Sequence, residues 1–182
     1  MPRHSDPELE GRILHAARKL WHKGGETALS MRAVAKAAGT NTPAVYRRFR
    51  NREQILRALI GDYQRQLIQQ VASCNSPQEI AENILEFALG RPREYQLITS
   101  GLLARMSKDR PAVDFVSYRC AELLGGSPKD HESLIVAVWA LVHGMAILQI
   151  SGTLPEEGHT RARAAFTRAI QVLIENEESL LI

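Results

Sequence analysis

The stretch "SMRAVAKAAGTNTPAVYRRFRNREQIL", residues 30–56, carries the strongest structural signal in the chain. Ser30 can cap a short helix built largely of alanine, and Gly39 can end that helix. Asn41 can cap a second short helix, which begins "TPAVYRRF". Two short helices joined by the three residues "GTN" predict a helix-turn-helix, in which the first helix packs on the core and the second faces a partner.

The second of these helices is suited to duplex DNA. Its first residues, Thr42, Pro43 and Ala44, are small or polar, which fits a major groove about 12 Å wide. Tyr46 can place a hydroxyl at the groove edge. The basic side chains that would flank it near backbone phosphates are Arg47, Arg48, Arg50 and Arg52. A solvated surface of arginines beside aromatic residues explains each residue singly, but it does not explain the turn, caps, small residues and charge together.

Charge is unevenly distributed along the 182 residues. Residues 1–57 contain 12 Lys/Arg and 5 Asp/Glu, a net charge of +7, whereas residues 58–182 contain 11 and 15, a net charge of −4. This asymmetry predicts that only the N-terminal part meets a polyanion. Cys74 and Cys120 are isolated and form no metal or disulfide pattern, which favours a reducing cytoplasm and predicts neither a metal nor a cofactor.

The rest of the chain also reads as helical. Apolar residues recur with helical periodicity and almost nowhere alternate as in a strand, which predicts an all-α fold of about nine helices. We expect the first helix to end at Gly24-Gly25, and "SPKD" at Ser127 to open the most apolar helix, residues 134–150. That helix is slightly shorter than the roughly 20 residues of a membrane span, and it carries His143. A helix buried on several sides is therefore preferred over contact with a membrane.

The segment "MRAVAKAAGTNTPAVYRRFRNREQILRAL", residues 31–59, resembles the DNA-binding signature of the TetR family of bacterial transcriptional regulators. Thr40 stands where the family usually has a small apolar residue, and Arg52 replaces the commoner lysine. The resemblance implies a homodimer, with a helix-turn-helix DNA-binding domain in residues 1–53 and a ligand-binding and dimerisation domain in residues 54–182. The matching positions are Val34-Ala35, Ala38-Gly39, Asn41, Val45-Tyr46, Phe49 and Arg52-Glu53.

The resemblance also implies roles for individual residues on double-stranded DNA. Ser30, Tyr46 and Arg52 would contact phosphates, and Arg48 would stay near the backbone. The residues that would approach base edges are Arg32, Thr42, Pro43, Ala44 and Arg47. In a dimer, two recognition helices about 34 Å apart would read a palindromic operator.

The C-terminal part has a weaker resemblance, to a subtype of the family marked by Trp and then His-Gly, here Trp139 and His143-Gly144. Family members pair through their last two helices, so a homodimer through those helices is expected. A small-molecule effector would occupy a pocket in each subunit. Aromatic residues and Met at helical spacing are more often core, so fewer than half of the candidates should touch a ligand. The candidates are Tyr63, Phe87, Tyr95, Leu102, Met106, Phe115, Tyr118, Trp139 and His143.

The function favoured by these features is a dimeric cytoplasmic repressor that a small apolar or aromatic effector releases from its operator. A DNA-binding activator and a regulator without a ligand remain open, because the sequence does not separate them. A helical enzyme is a remote third, since the histidines are scattered and no HExxH, Gly-rich phosphate loop or nucleophile elbow occurs.

Overall fold

A computed structural model describes residues 8–100 and 110–180. In these two ranges the chain forms nine α-helices and no strand, as the sequence predicts. The helices are α1 Leu9–Ala28, α2 Met31–Ala37, α3 Thr42–Arg48, α4 Arg52–Val71, α5 Pro77–Gly90, α6 Pro92–Thr99, α7 Pro111–Leu124, α8 Glu132–Ile150 and α9 His159–Glu175, with short 3-10 turns at Glu156–Gly158 and Glu177–Leu180.

These helices form two compact units. The head unit contains residues 8–63 and 97–100, and the body unit contains residues 64–96 and 110–180. The predicted division after residue 53 stays a prediction about the extent of the DNA-binding domain. The compact head unit itself continues along α4 to Tyr63.

The head unit is built around one apolar core. Ile13, Val34, Val45, Ile55 and Leu59 are completely buried there. Alanines on α1, α2 and α3 are buried among them, so these three helices pack closely. Removing such apolar side chains from water supplies the main favourable term in folding, and it fixes α2 and α3 against α1 and α4.

The regular geometry of α1 breaks at the predicted Gly24-Gly25, and one further turn follows the break. Gly25 takes φ 59° and ψ −138°, which breaks the helical geometry, but the chain then resumes one more helical turn to Ala28. Glycine adopts positive φ without the steric cost that a side chain adds, so it permits a kink here instead of an end.

The predicted start of α8 at Ser127 is wrong, since the helix begins at Glu132. The Asp130 carboxylate accepts the Ser127 N–H at 2.7 Å, which holds residues 127–130 in a turn. His131 follows, with Nε2 2.6 Å from the Gly125 carbonyl oxygen and Nδ1 2.7 Å from Glu177 Oε1. This ring therefore links the turn before α8 to the 3-10 turn after α9.

The body unit packs α5 and α9 against α8. Leu134, Val142 and Ala146 of α8 are buried, but Val136 and Trp139 are about half exposed. In a single chain α8 therefore leaves one side exposed, and its burial on several sides stays a prediction for the dimer. By length and composition α8 is also the one helix of the described ranges that could cross a membrane, with mean hydropathy 2.0. One such helix is weak evidence for a membrane span. An exposed apolar face of this kind more often marks a site of protein–protein contact.

Candidate nucleic-acid interface and effector site

The turn between α2 and α3 is fixed by a glycine and a cap. Gly39 has φ +65°, in the left-handed region that favours glycine. The Thr40 N–H donates to the Ala35 carbonyl oxygen at 3.0 Å, which ends α2. The Asn41 side chain then accepts the Ala44 N–H at 2.9 Å and starts α3. The turn and the cap predicted at these residues are therefore present, and together they set the direction of α3.

The outer side of α3 consists of exposed polar and basic side chains. Tyr46 is 51% exposed, and Pro43, Arg47 and Arg48 are also exposed, while Thr42 is half-buried. Val45 and Phe49 face the core. Because α3 buries only one side, the other is available to a groove, and it carries guanidinium groups suited to phosphates and base edges.

Ala44 does not belong to this outer side. It is only 4% exposed and lies in the head core, so the predicted contact between its methyl group and a base edge is wrong for this conformation. Its position follows from helical spacing, because Ala44 and Val45 are the buried residues of a seven-residue helix. The small side chain instead lets α3 approach its neighbours in the core.

The remaining predicted DNA contacts lie at helix starts. Ser30 is exposed, and its Oγ accepts the Ala33 N–H at 3.1 Å as the cap of α2. Arg32, the second residue of that helix, is exposed. Asn51 caps α4 by accepting the Gln54 N–H at 2.9 Å. Arg52, next in the chain, does not project freely: its Nη2 lies 3.0 Å from Glu26 Oε1 and 3.1 Å from the Glu26 carbonyl oxygen.

In the body unit, three of the predicted effector residues form a ring cluster: Tyr95, His143 and Trp139. The Tyr95 hydroxyl lies 3.1 Å from His143 Nδ1. The His143 ring centroid lies 5.8 Å from that of Tyr95 and 6.0 Å from that of Trp139. Burial raises the pKa of the Tyr95 phenol to about 12, so the hydroxyl stays protonated in its hydrogen bond with His143 Nδ1. The cluster thus combines apolar rings with one polar pair.

The other predicted effector residues are dispersed. Tyr63 is buried in the head core, so its assignment to a pocket of the body unit is wrong. Phe87 is buried, with the Arg91 guanidinium carbon 5.2 Å from its ring centroid. Phe115 is half-buried and Tyr118 is 65% exposed, so Tyr118 does not line an enclosed cavity in the single chain. Leu102 and Met106 lie outside the described residues.

Sequence reasoning missed an open groove of about 710 Å³ along the last helices of the body unit. It is lined by residues from α8 and α9, among them Gln149, His159, Arg163 and Arg168. The mixed polar and alanine-rich pattern of α9 was available as a signal. No site was predicted on this helix, so the concave polar surface was not anticipated.

Two family models match the chain, in the same order as the two structural units. Residues 13–59 match the bacterial regulatory proteins of the tetR family, and residues 78–173 match the tetracycline-repressor-like C-terminal domain. The chain belongs to the TetR family. Proteins of this family are dimeric DNA-binding regulators and not enzymes, which confirms the predicted class and the exclusion of an enzyme. None of the curated proteins gives a significant match.

Solved structures of TetR-family and related regulators have the same fold. A TetR variant from Acinetobacter baumannii AYE, in complex with minocycline, is 22% identical with a TM-score of 0.67, covering 94% of this chain and 97% of that one. BioQ of Mycobacterium smegmatis is 20% identical with a TM-score of 0.65, covering 91% and 95%. The multidrug binding protein EbrR, in complex with imidazole, is 22% identical with a TM-score of 0.63, covering 92% and 93%. At these identities the likeness supports the fold alone.

Proposed function

We propose that this TetR-family chain is a cytoplasmic transcriptional repressor that leaves its operator when a small apolar or aromatic effector binds the body unit. The observation that carries the proposal is the exposed, capped helix α3 in a chain that belongs to a family of DNA-binding regulators. The N-terminal net charge of +7 supports the same partner, since duplex DNA attracts basic surfaces.

The outer side of α3 and the start of α2 would make the DNA contacts. Ser30, Tyr46 and Arg48 would bind backbone phosphates, and Arg32 and Thr42 would hydrogen-bond to base edges. Pro43 and Arg47 would approach the same bases. Arg52 stands apart from this set because its Nη2 is bound to Glu26.

Homodimerisation through α8 and α9 would cover the exposed face of α8. Val136 is 55% exposed, Trp139 50% and Leu148 44%, and Gly144 is also exposed. An apolar helix face of this kind is more stable against a partner copy than in water. Two subunits related by a two-fold axis would then read a palindromic operator.

The ring cluster Tyr95, His143 and Trp139 is the proposed effector contact. Rings of this kind suit an apolar or aromatic molecule, and the hydroxyl–imidazole pair could orient one polar group. The minocycline complex of the Acinetobacter baumannii TetR variant and the ethidium complex of EbrR involve aromatic ligands of those proteins. Release from DNA requires that the effector bind the released conformation more tightly than the DNA-binding conformation. The continuous helix α4 is the proposed element that changes position between them.

DNA binding is tested by fluorescence anisotropy on genomic fragments selected by the purified protein, over a series of salt concentrations. Arg48→Ala should weaken binding to all fragments and lower the salt slope by about 0.9, because one phosphate contact is lost. Thr42→Ala should change which fragment is preferred and leave the slope unchanged. Lys19→Ala removes the same charge from exposed α1 and should leave both unchanged. Failure of the wild-type protein to prefer any fragment over a scrambled duplex would refute the proposal.

The dimer is tested by sedimentation of matched surface variants. Leu148→Arg places a charge on the exposed face of α8, and Val113→Arg places one on α7 at a similarly exposed position, 44% against 48%. We expect Leu148→Arg to be monomeric and Val113→Arg to remain dimeric. Equal behaviour of the two variants would argue against pairing through α8.

The effector site is tested with a single-tryptophan protein. Trp21→Phe leaves Trp139 as the remaining tryptophan of the chain. An apolar aromatic compound that releases the operator should change Trp139 fluorescence. Tyr95→Phe should weaken the binding of that compound without weakening DNA binding. Release of DNA with no change at Trp139, or with full affinity in Tyr95→Phe, would place the effector elsewhere.

A further inference from the structure

The contact between Arg52 and Glu26 joins two parts of the head unit that are 26 residues apart in sequence. One nitrogen, Arg52 Nη2, donates to both acceptors of Glu26, the carboxylate at 3.0 Å and the backbone carbonyl at 3.1 Å. Arg52 Nε is inaccessible to solvent, although the Arg52 side chain as a whole is 35% exposed and the Glu26 side chain 71% exposed.

Each end of this contact lies next to one end of the helix-turn-helix. Glu26 follows the kink at Gly25 and begins the last turn of α1, only four residues before Ser30, the cap of α2. Arg52 is the first residue of α4 and follows closely after the end of α3 at Arg48. The pair therefore connects the entry of α2 to the exit of α3.

The kink makes such a connection useful. After Gly25 the final turn of α1 is short, and the Leu29 N–H reaches the Glu26 carbonyl oxygen at the long distance of 3.4 Å. A short helical turn with few internal hydrogen bonds has little stability of its own. The charged donor on the same carbonyl oxygen restrains this turn, and with it the position of Ser30.

We propose that Glu26 and Arg52 are positioning residues for DNA binding: their contact holds the start of α2 and the exit of α3 in the spacing that the duplex requires. The proposal rests on the proposed DNA-binding function. It reassigns Arg52, which the family resemblance places on a phosphate, to a contact within the protein.

The two roles of Arg52 predict opposite effects of changing Glu26. If Arg52 binds a phosphate, Glu26→Gln removes a competing negative charge, and DNA binding strengthens or stays the same. If the pair positions the helices, Glu26→Gln weakens binding although the protein has become more positive. The direction of the change therefore separates positioning from phosphate binding.

The experiment measures operator affinity and its salt slope for Glu26→Gln, Arg52→Ala and the double variant. Glu53→Gln is the matched control, since it removes the same charge from an exposed carboxylate next to Arg52, 3.8 Å from Arg57. We expect Glu26→Gln and Arg52→Ala each to weaken binding about two- to five-fold. The salt slope should stay unchanged, and the double variant should be no weaker than Arg52→Ala. Glu53→Gln should not weaken binding.

Two results would overturn the proposal. The first is Glu26→Gln binding as tightly as the wild type or more tightly, and the second is Arg52→Ala lowering the salt slope by about 0.9 as for a phosphate contact. Thermal unfolding of each variant, compared with the wild type, shows whether weaker binding comes from an unfolded head unit. A wild-type protein that prefers no operator would refute the proposed function instead, so the two failures are distinguishable.

Discussion

Replacing Gly39 by alanine should destabilise the head unit, because the turn before α3 requires a left-handed residue. Gly39 has φ +65°, and an added Cβ would meet no atom within 4 Å, so the cost comes from the backbone alone. That conformation costs an L-residue about 1–2 kcal/mol. Loss of unfolded-chain entropy returns about 0.4–1 kcal/mol, so the net destabilisation should be about 1 kcal/mol.

Gly11→Ala is the matched control in the same unit. Gly11 lies in α1, is exposed, and an added Cβ there also meets nothing within 4 Å. Alanine is favoured over glycine in a helix by about 0.5–1 kcal/mol, so this variant should be more stable than the wild type.

The assay is urea unfolding followed by far-ultraviolet circular dichroism, at equal protein concentration for all three proteins. We expect the midpoints in the order Gly39→Ala, wild type, Gly11→Ala, with similar slopes. The expected destabilisation corresponds to a melting temperature lower by about 2–4 °C in a chain of this size. A Gly39→Ala protein as stable as the wild type would show that the left-handed turn is not required.

Three further predictions concern single hydrogen bonds. Asn41→Ala should lower the free energy of unfolding by about 1 kcal/mol because it removes the cap of α3. In the same denaturation assay, Asn41→Asp should retain most of the stability that Asn41→Ala loses. Tyr95→Phe should cost about 1 kcal/mol through the lost bond to His143, and the cost should vanish in a His143→Phe background. The Gly125 carbonyl first, and then the Glu177 and Asp130 carboxylates, raise the pKa of His131 above 6.5 against the opposing effect of burial. The stability that this group contributes is therefore complete below about pH 6.5 and is lost as the pH rises through the folded-state pKa. The free energy of unfolding, measured from pH 6 to 9, should decline in the wild type but not in His131→Gln. An equal decline in His131→Gln would show that other groups cause it.

Local signals in the sequence predicted the DNA-binding part well. Caps and left-handed glycines act within four residues, so Ser30, Gly39 and Asn41 could be assigned without knowledge of tertiary contacts. Ala44 was misassigned because its small size suits both a groove and a tightly packed core. Only the orientation of α3 on its neighbours decides between the two.

The body unit could be predicted less far, because its features depend on contacts between distant segments. The bond from Tyr95 to His143 joins residues 48 positions apart, and no local spacing indicates it. Aromatic residues at helical spacing have the same pattern whether they fill a core, as Tyr63 does, or face outwards, as Tyr118 does. The hydropathy of α8 indicates that its sides should be covered, but it does not indicate whether another helix of the same chain or a second copy covers them.

If the exposed side of α8 is a dimer interface, then stability and DNA binding both depend on the concentration of the protein. If a second copy covers it, mass action links folding to pairing, and dilution lowers the melting temperature as well as the fraction of paired chains. Because a palindrome needs both recognition helices, operator occupancy would then fall more steeply than in proportion to the amount of protein in the cell. A modest change in synthesis or degradation could consequently switch transcription without any effector.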